Sequence, residues 1–353
     1  MKRKEILRWL REPNPAELMS LYRHADTVRR TNMEEAVYLN GLIEISNNCQ
    51  RECAYCGLRS GRTNLKRFRM TENEVVACAR KAVLFGCSGV MLQGGDDPEL
   101  TREWVADVVR RVKAETPLAI TISLGERPEK DLRAWREAGA ERYMLRFETS
   151  DAELFQRIHP SLSEKRVNRL GTLKKLADCG FKVGSGSMIG IPGQSYESVA
   201  RDIELLTELH LDMIGSGPYL PHPDTPIGSG QMVQVLPPGE QIPASEDIVY
   251  RLTALLRRLN PRVHIPVTAA LATLNPNNGR ELGLMRGANM VLTNLTPLKY
   301  RKLYEVYPNR ICLREPADGA SEALRGRIRS IGRRVAASSA TKPRVSNIPT
   351  LLL

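Results

Sequence analysis

No stretch of this chain offers about twenty apolar residues free of charge, the length a helix needs to cross a bilayer, so no membrane span is expected. The opening, Met-Lys-Arg-Lys-Glu followed by a short charged amphipathic run, lacks the apolar core of a secretory signal. Histidine is scarce, with five in 353 residues and none between Tyr38 and Phe147. Aromatic residues make up 5% and are not interleaved with a dense basic patch. The net charge of +12 is instead spread through Arg-rich helical stretches, with one concentration from Arg325 to Arg334. It reads as a solvated basic face, and no nucleic-acid partner is expected. The seven cysteines are odd in number and too clustered to staple a chain of this size, which argues against a disulfide framework. Reduced thiols and no export signal place the expectation in the cytoplasm. Apolar content of 42% and charged content of 26% are those of a globular protein, with no internal repeat.

Three cysteines carry the strongest signal. Cys49, Cys53 and Cys56 stand in a C-x3-C-x2-C spacing within Ser-Asn-Asn-Cys-Gln-Arg-Glu-Cys-Ala-Tyr-Cys-Gly-Leu-Arg. Three thiolates on one short loop can hold three irons of a [4Fe–4S] cubane and leave the fourth iron open for chemistry. A zinc site is the competing reading. Structural zinc takes four ligands, usually from paired C-x2-C or C-x2-H units, and only one such pair is present. Cys78, Cys87, Cys179 and Cys312 are scattered, and each reads as a small buried hydrophobe.

The rest of the chain alternates short apolar runs with long amphipathic ones. The expected strands are Tyr38–Ile45, Gly89–Leu92, Leu118–Ser123, Arg142–Leu145, Lys182–Ser187, Met213–Ser216, His264–Val267 and Met290–Leu292. Stretches with apolar residues at i, i+3 and i+4 separate most of them, and Thr71 with Glu74 forms a capping box ahead of one. Eight strand–helix units predict an α/β fold of (β/α)8 TIM type, with the site on the face where the strands end. Residues 1–37 read as an N-terminal helical cap, 38–334 as the barrel and 335–353 as a basic C-terminal tail.

The residues at the strand ends converge on that face. They include Gln93-Gly94-Gly95-Asp96-Asp97-Pro98, Ser123-Leu124-Gly125-Glu126, Arg146-Phe147-Glu148-Thr149, the run Gly184 to Gln194, and Pro221-His222-Pro223-Asp224-Thr225-Pro226. Each also has a plainer reading: Gly94 and Gly95 as turn formers, Asp96 and Asp97 as helix caps, Arg146 and Glu148 as an ion pair on one strand face.

With the cysteine loop placed after the first strand, the chain resembles the radical S-adenosylmethionine (SAM) superfamily, and Tyr55 fits that family's aromatic position before the last cysteine. The run Asn64-Leu65-Lys66-Arg67-Phe68-Arg69-Met70-Thr71, the strand-end motifs above and Tyr300-Arg301-Lys302-Leu303-Tyr304 are similar to the HydE family of [FeFe]-hydrogenase maturases, relatives of biotin synthase and methylornithine synthase.

The resemblance implies a radical SAM barrel whose cluster is bound by Cys49, Cys53 and Cys56. It implies SAM contacts from Tyr55, Gln93, Gly94, Gly95, Asp96, Glu148, Arg166 and Ile189, and a substrate cavity lined by Arg146, Thr268, Tyr304 and Tyr307. The implied cofactors are a [4Fe–4S] cluster and SAM. The implied activity is reductive cleavage of SAM to a 5′-deoxyadenosyl radical, used on a small-molecule or organometallic iron–cysteine substrate. A reducing donor such as flavodoxin or ferredoxin and the other hydrogenase maturases are the implied partners. The chain departs from the family at Gly95-Asp96-Asp97, at Phe147 and at Ala269, and it retains only Cys312 of a second cluster motif, so no second cluster is expected. Two other readings stay open: a methylornithine synthase or biotin synthase type of enzyme acting on an amino-acid-like substrate, and a non-catalytic iron–sulfur or zinc protein.

Overall fold

The computed structural model describes residues 1–162, 168–232, 234–315, 320–336 and 348. Eight parallel strands form its centre: β1 (Ala36–Ser46), β2 (Gly89–Gly94), β3 (Ala119–Ser123), β4 (Arg142–Met144), β5 (Lys182–Ser185), β6 (Met213–Ile214), β7 (Pro266–Val267) and β8 (Met290–Asn294). Each boundary lies within two residues of its expected place. The hydrogen-bonded order is β6-β5-β4-β3-β2-β1-β8-β7. The seam between β6 and β7 is closed by a parallel bridge of Met213 to His264, where Ile214 N donates to His264 O at 2.8 Å. Two-residue strands at Met188–Ile189 and Gly217–Pro218 pair above β5 and β6.

The strands alternate as a barrel requires. On β2 and β3, Val90, Leu92, Ile120 and Ile122 face the helices and are fully buried there. Leu42, Met91, Met144 and Met213 form a second apolar cluster, together with Tyr38 and Met290. Leu42 pairs in register with Met91, and Gly184 lies between Met144 and Met213, giving their side chains room.

The helices follow their local signals. Glu72–Leu84 starts at the expected capping box, with Glu74 N donating to Thr71 Oγ1 and Thr71 N to Glu74 Oε2; such a cap is worth about 1 kcal/mol. Three short helices begin immediately after strand-end loops: Ala152–Ile158, capped by Asp151, Ala269–Leu274, capped by Thr268, and Leu298–Arg301.

The N-terminal helices α1 (Arg3–Arg11) and α2 (Pro15–Met33) pack on the outer helices Tyr196–Glu208 and Glu246–Leu259. α1 buries Ile6, Trp9 and Leu10, at about 1.5–3 kcal/mol for each apolar side chain. The strand pairing also runs past the expected boundaries at 38 and 334. Pairing of β1 with β8 starts at Tyr38 and with β2 at Asn40, so its first residues keep free backbone groups. Arg334–Val335 fills that place, pairing with Ala36 and Val37.

Candidate active site

Above the methionines the strands end in loops that enclose a cavity of ≈ 350 Å³. Leu42, Met91, Met144, Met213 and Leu292 form its apolar side, and the cysteine loop, Gln93 to Asp96, Arg146, Glu148, Thr268, Tyr304 and Tyr307 form much of the rest.

The cysteine loop has no regular structure, and other elements hold it at each turn. Gln50 N donates to Asp96 O at 2.9 Å, Ala54 N to Ile158 O at 2.8 Å and Gly57 N to Val306 O at 3.0 Å. The Asp96 carboxylate accepts from Arg51 Nε at 2.6 Å and from Gln50 Nε2 at 3.2 Å, so Asp96 anchors the loop. A side chain at Gly95 would collide with the Asn48 carbonyl and with Cys49 Cβ; the glycine is needed for the close approach of the two loops, not only for a turn. On the far side, the space a side chain would need at Gly57 is taken by the Glu305 carbonyl and the His222 ring.

All three thiols of this loop line the cavity, whereas Cys78, Cys87, Cys179 and Cys312 do not. Burial pushes each of the three up, Cys56 to about 12, and the nearby thiols raise Cys53 and Cys56 further. Three thiolates this close in a dry wall need a positively charged core between them, which suits the donor chemistry of an iron–sulfur cluster. Among the described residues no three His, Cys, Asp or Glu side chains close on a single ion. A cubane takes its thiolates at separate corners and does not need that arrangement.

Next to the thiols the wall presents polar atoms without partners. Glu148 is 4% exposed; its Oε1 receives Tyr55 OH at 3.3 Å and faces Arg146 at 3.2 Å, while its Oε2 has no partner. Its backbone sits at φ 69°, a left-handed conformation that costs a non-glycine residue about 1–3 kcal/mol. Hydrogen bonds from its N–H to Gly186 O and from Met188 N–H to its carbonyl hold it there. Tyr219 OH is likewise unpartnered. Orphaned polar atoms around a cavity suit a polar ligand.

Two residues of this wall, Arg169 and His159, belong to none of the motifs named above. Arg169 donates to Arg146 O at 2.6 Å, bonds Glu126 and approaches His159 Nε2 at 2.6 Å. The His159 ring is kept neutral, lowered to about 3 by burial and by Arg169 and Arg51, and its Nδ1 is unpartnered. Behind the wall, Gln194, the end of the expected Gly184 to Gln194 run, is fully buried; it accepts from Gly190 N and donates to Met188 O and Asp202, so it organises the Gly-rich loop from within. Arg169 lies three residues after Arg166, the arginine of this stretch that the resemblance implied.

Below the thiols, Gln93 Nε2 donates to Tyr304 OH at 3.2 Å. A buried Arg310–Glu44 pair lies beside them, and Arg310 reaches the cavity. Thr268 lines the cavity and also caps the following helix, accepting from Leu271 N at 3.3 Å.

Two expected SAM contacts stand apart. Arg166 lies outside the described residues. Ile189 is fully buried in the main core and does not line the cavity; the neighbouring Met188 does.

The comparisons with known proteins agree with this geometry. The family model of the radical SAM superfamily matches residues 43–206. The chain is 28% identical over 283 residues to 3-methylornithine synthase of Methanosarcina acetivorans, covering 80% of this chain and 75% of that one. The crystal structure of methylornithine synthase (PylB) superposes with a TM-score of 0.81 at 24% identity, over 96% of this chain and 95% of that one, which shows the same fold. The chain is a radical SAM enzyme, and its cofactors are a [4Fe–4S] cluster and SAM. It is also 40% identical over 316 residues to the [FeFe] hydrogenase maturase subunit HydE of Thermotoga maritima, covering 89% of this chain and 86% of that one. Within the superfamily, it belongs to the HydE family. No helix among the described residues is long and apolar enough to cross a membrane.

Proposed function

We propose that this enzyme acts in maturation of [FeFe]-hydrogenase, using SAM cleavage to build the dinuclear iron cofactor from a small organometallic iron–cysteine substrate. The 40% identity across most of both chains to a maturase subunit carries this reading. A reduced cluster held in the site would supply the one electron that cleaves SAM to methionine and a 5′-deoxyadenosyl radical.

In this reading Cys49, Cys53 and Cys56 hold the cluster, and Asp96, through Arg51 and Gln50, fixes the loop that carries them. Glu148 offers its free oxygen to SAM, and Tyr55 restrains that carboxylate. Gly94 and Gly95 let the backbone of β2's loop approach the cofactor. Ile189, from the core, backs the wall that Met188 presents, and Arg166 pairs with the SAM carboxylate. Arg146, Thr268, Tyr304 and Tyr307 bind the substrate over the methionine side, which excludes water from the radical. A flavodoxin or ferredoxin delivers the electron, and the other maturases supply or receive the iron complex in the cytoplasm. The helices Arg3–Arg11 and Pro15–Met33 serve as a cap to the barrel; most of the expected tail, 337–347 and 349–353, lies outside the described residues.

Two assays test this. The reconstituted protein should form 5′-deoxyadenosine when given SAM, a reductant and an iron–cysteine carbonyl complex, and its gene should restore hydrogenase activity to a strain lacking its own HydE. Failure of the complementation, with 5′-deoxyadenosine formed only on addition of a free amino acid, would overturn the proposed substrate.

A further inference from the structure

Within Asn64–Thr71, one of the motifs shared with the HydE family, Arg67 makes a set of bonds that the site described so far does not use. Its guanidinium donates to four backbone carbonyls: Nη1 to Asn47 O at 2.6 Å and Leu58 O at 2.8 Å, and Nη2 to Arg59 O at 2.8 Å and Arg62 O at 3.3 Å. Asn47 precedes the first cysteine of the loop, and the other three follow the last. The single side chain therefore ties both ends of the 47–62 loop together. Asn47 reinforces the tie, donating to Lys66 O at 2.9 Å and Leu303 O at 2.8 Å and accepting from Phe68 N at 2.7 Å.

A fork of planar donors suits this task, because it reaches several carbonyls at fixed angles where an ammonium cannot. Satisfying four carbonyls leaves the positive charge itself unanswered. Among the described residues no carboxylate lies within ion-pair distance of Arg67, unlike its neighbours Arg62, which meets Asp224 and Glu305, and Arg69, which meets Asp97 and Glu99. The guanidinium is held between a carbonyl two residues before Cys49 and a carbonyl two residues after Cys56, so its charge sits beside the cysteine loop.

We propose that Arg67 is a positioning residue for the cluster: its fork closes the cysteine loop, and its unpaired charge faces the cluster and favours the reduced, more negative state. This rests on the reading that Cys49, Cys53 and Cys56 hold the cluster. Three cysteine thiolates and a [4Fe–4S]2+ core sum to one negative charge, and one-electron reduction makes it two, so a nearby cation stabilises the reduced form more than the oxidised one.

The test compares anaerobically reconstituted full-length wild type, Arg67→Gln and Arg67→Lys by iron and sulfide content and by the midpoint potential of the cluster from an EPR-monitored titration. Wild type without a four-iron cluster would sink the underlying assignment and not this inference alone. With wild type loaded, Arg67→Gln should hold several-fold less iron, and what remains should titrate at a more negative potential. Arg67→Lys should also lose iron but keep a potential close to wild type, since it retains the charge and loses the fork. If Arg67→Gln retains no cluster, reduced loading with a near-wild-type potential in Arg67→Lys supports the proposal. Full loading and an unchanged potential in Arg67→Gln overturn it, as does equal iron loss in both variants with no change in potential.

Discussion

At the N-terminal end of the barrel, Arg142 on β4 pairs with Asp212 ahead of β6 at 3.0 Å, and both are nearly buried. Nearby, the fully buried Arg29 of α2 bonds Asp26 and Glu35, and Arg333 from the far end of the chain joins the same two carboxylates. Tyr38 stacks edge-on against His264 at 4.8 Å to help close that end. At the C-terminal end, Glu148 keeps an oxygen without a partner in a strained backbone, His159 keeps an unpartnered Nδ1, and burial and neighbouring thiols push Cys53 and Cys56 up. One end pairs these charges with one another and holds the fold. The other leaves buried polar groups incomplete, and these point to what it binds. Between them the methionine layer separates the two regimes.

Substitutions at the two ends should therefore fail in different ways. The largest effect is expected from Cys53→Ala, which removes a cluster ligand at the site end: 5′-deoxyadenosine formation should fall to the uncatalysed background, measured by chromatography under reducing, anaerobic conditions. Full activity in that variant would falsify the cluster assignment. At the closed end, Asp212→Ala strands a buried guanidinium and should cost about 3–5 kcal/mol of stability. Denaturant unfolding of the apoprotein reads that loss, and SAM affinity of the folded fraction should stay at the wild-type value; a large drop in affinity would break the division between the ends.

Glu148→Gln reverses that pattern. Loss of one charged hydrogen bond to the ligand, worth about 1.5–3 kcal/mol, should weaken SAM binding roughly 10- to 100-fold by calorimetry on the holoprotein, with little change in unfolding midpoint. The smallest effect belongs to the layer between. Met144→Leu conserves volume and should cost less than about 1.5 kcal/mol. A larger loss would show that the methionine does more than fill space.

Much of this division could be read from the sequence. The eight strands stood out because apolar β-branched runs bounded by glycine and polar residues mark them. The cavity residues stood out because each such run ends in a motif, and a barrel sends all those ends to one face. The rest was set by contacts between residues far apart in the chain. Arg169 reaches the site by bonding Glu126, 43 residues away, and nothing local separates it from the other arginines of that stretch. Ile189 and Met188 are adjacent and both apolar, so the sequence could not say which would face the cavity on a two-residue strand. The pairing of Arg334–Val335 with β1 escaped notice because two residues carry no periodicity. Arg67 was visible only as part of a motif; its role follows from four carbonyls that come together in the folded loop.

The account depends most on a cluster with one iron left open for SAM. EPR of the anaerobically reduced protein, recorded with and without SAM, tests it most directly. The signal of the reduced cluster should change in shape when SAM is added, because the nucleotide binds the open iron. A spectrum that stays the same at saturating SAM would contradict the account.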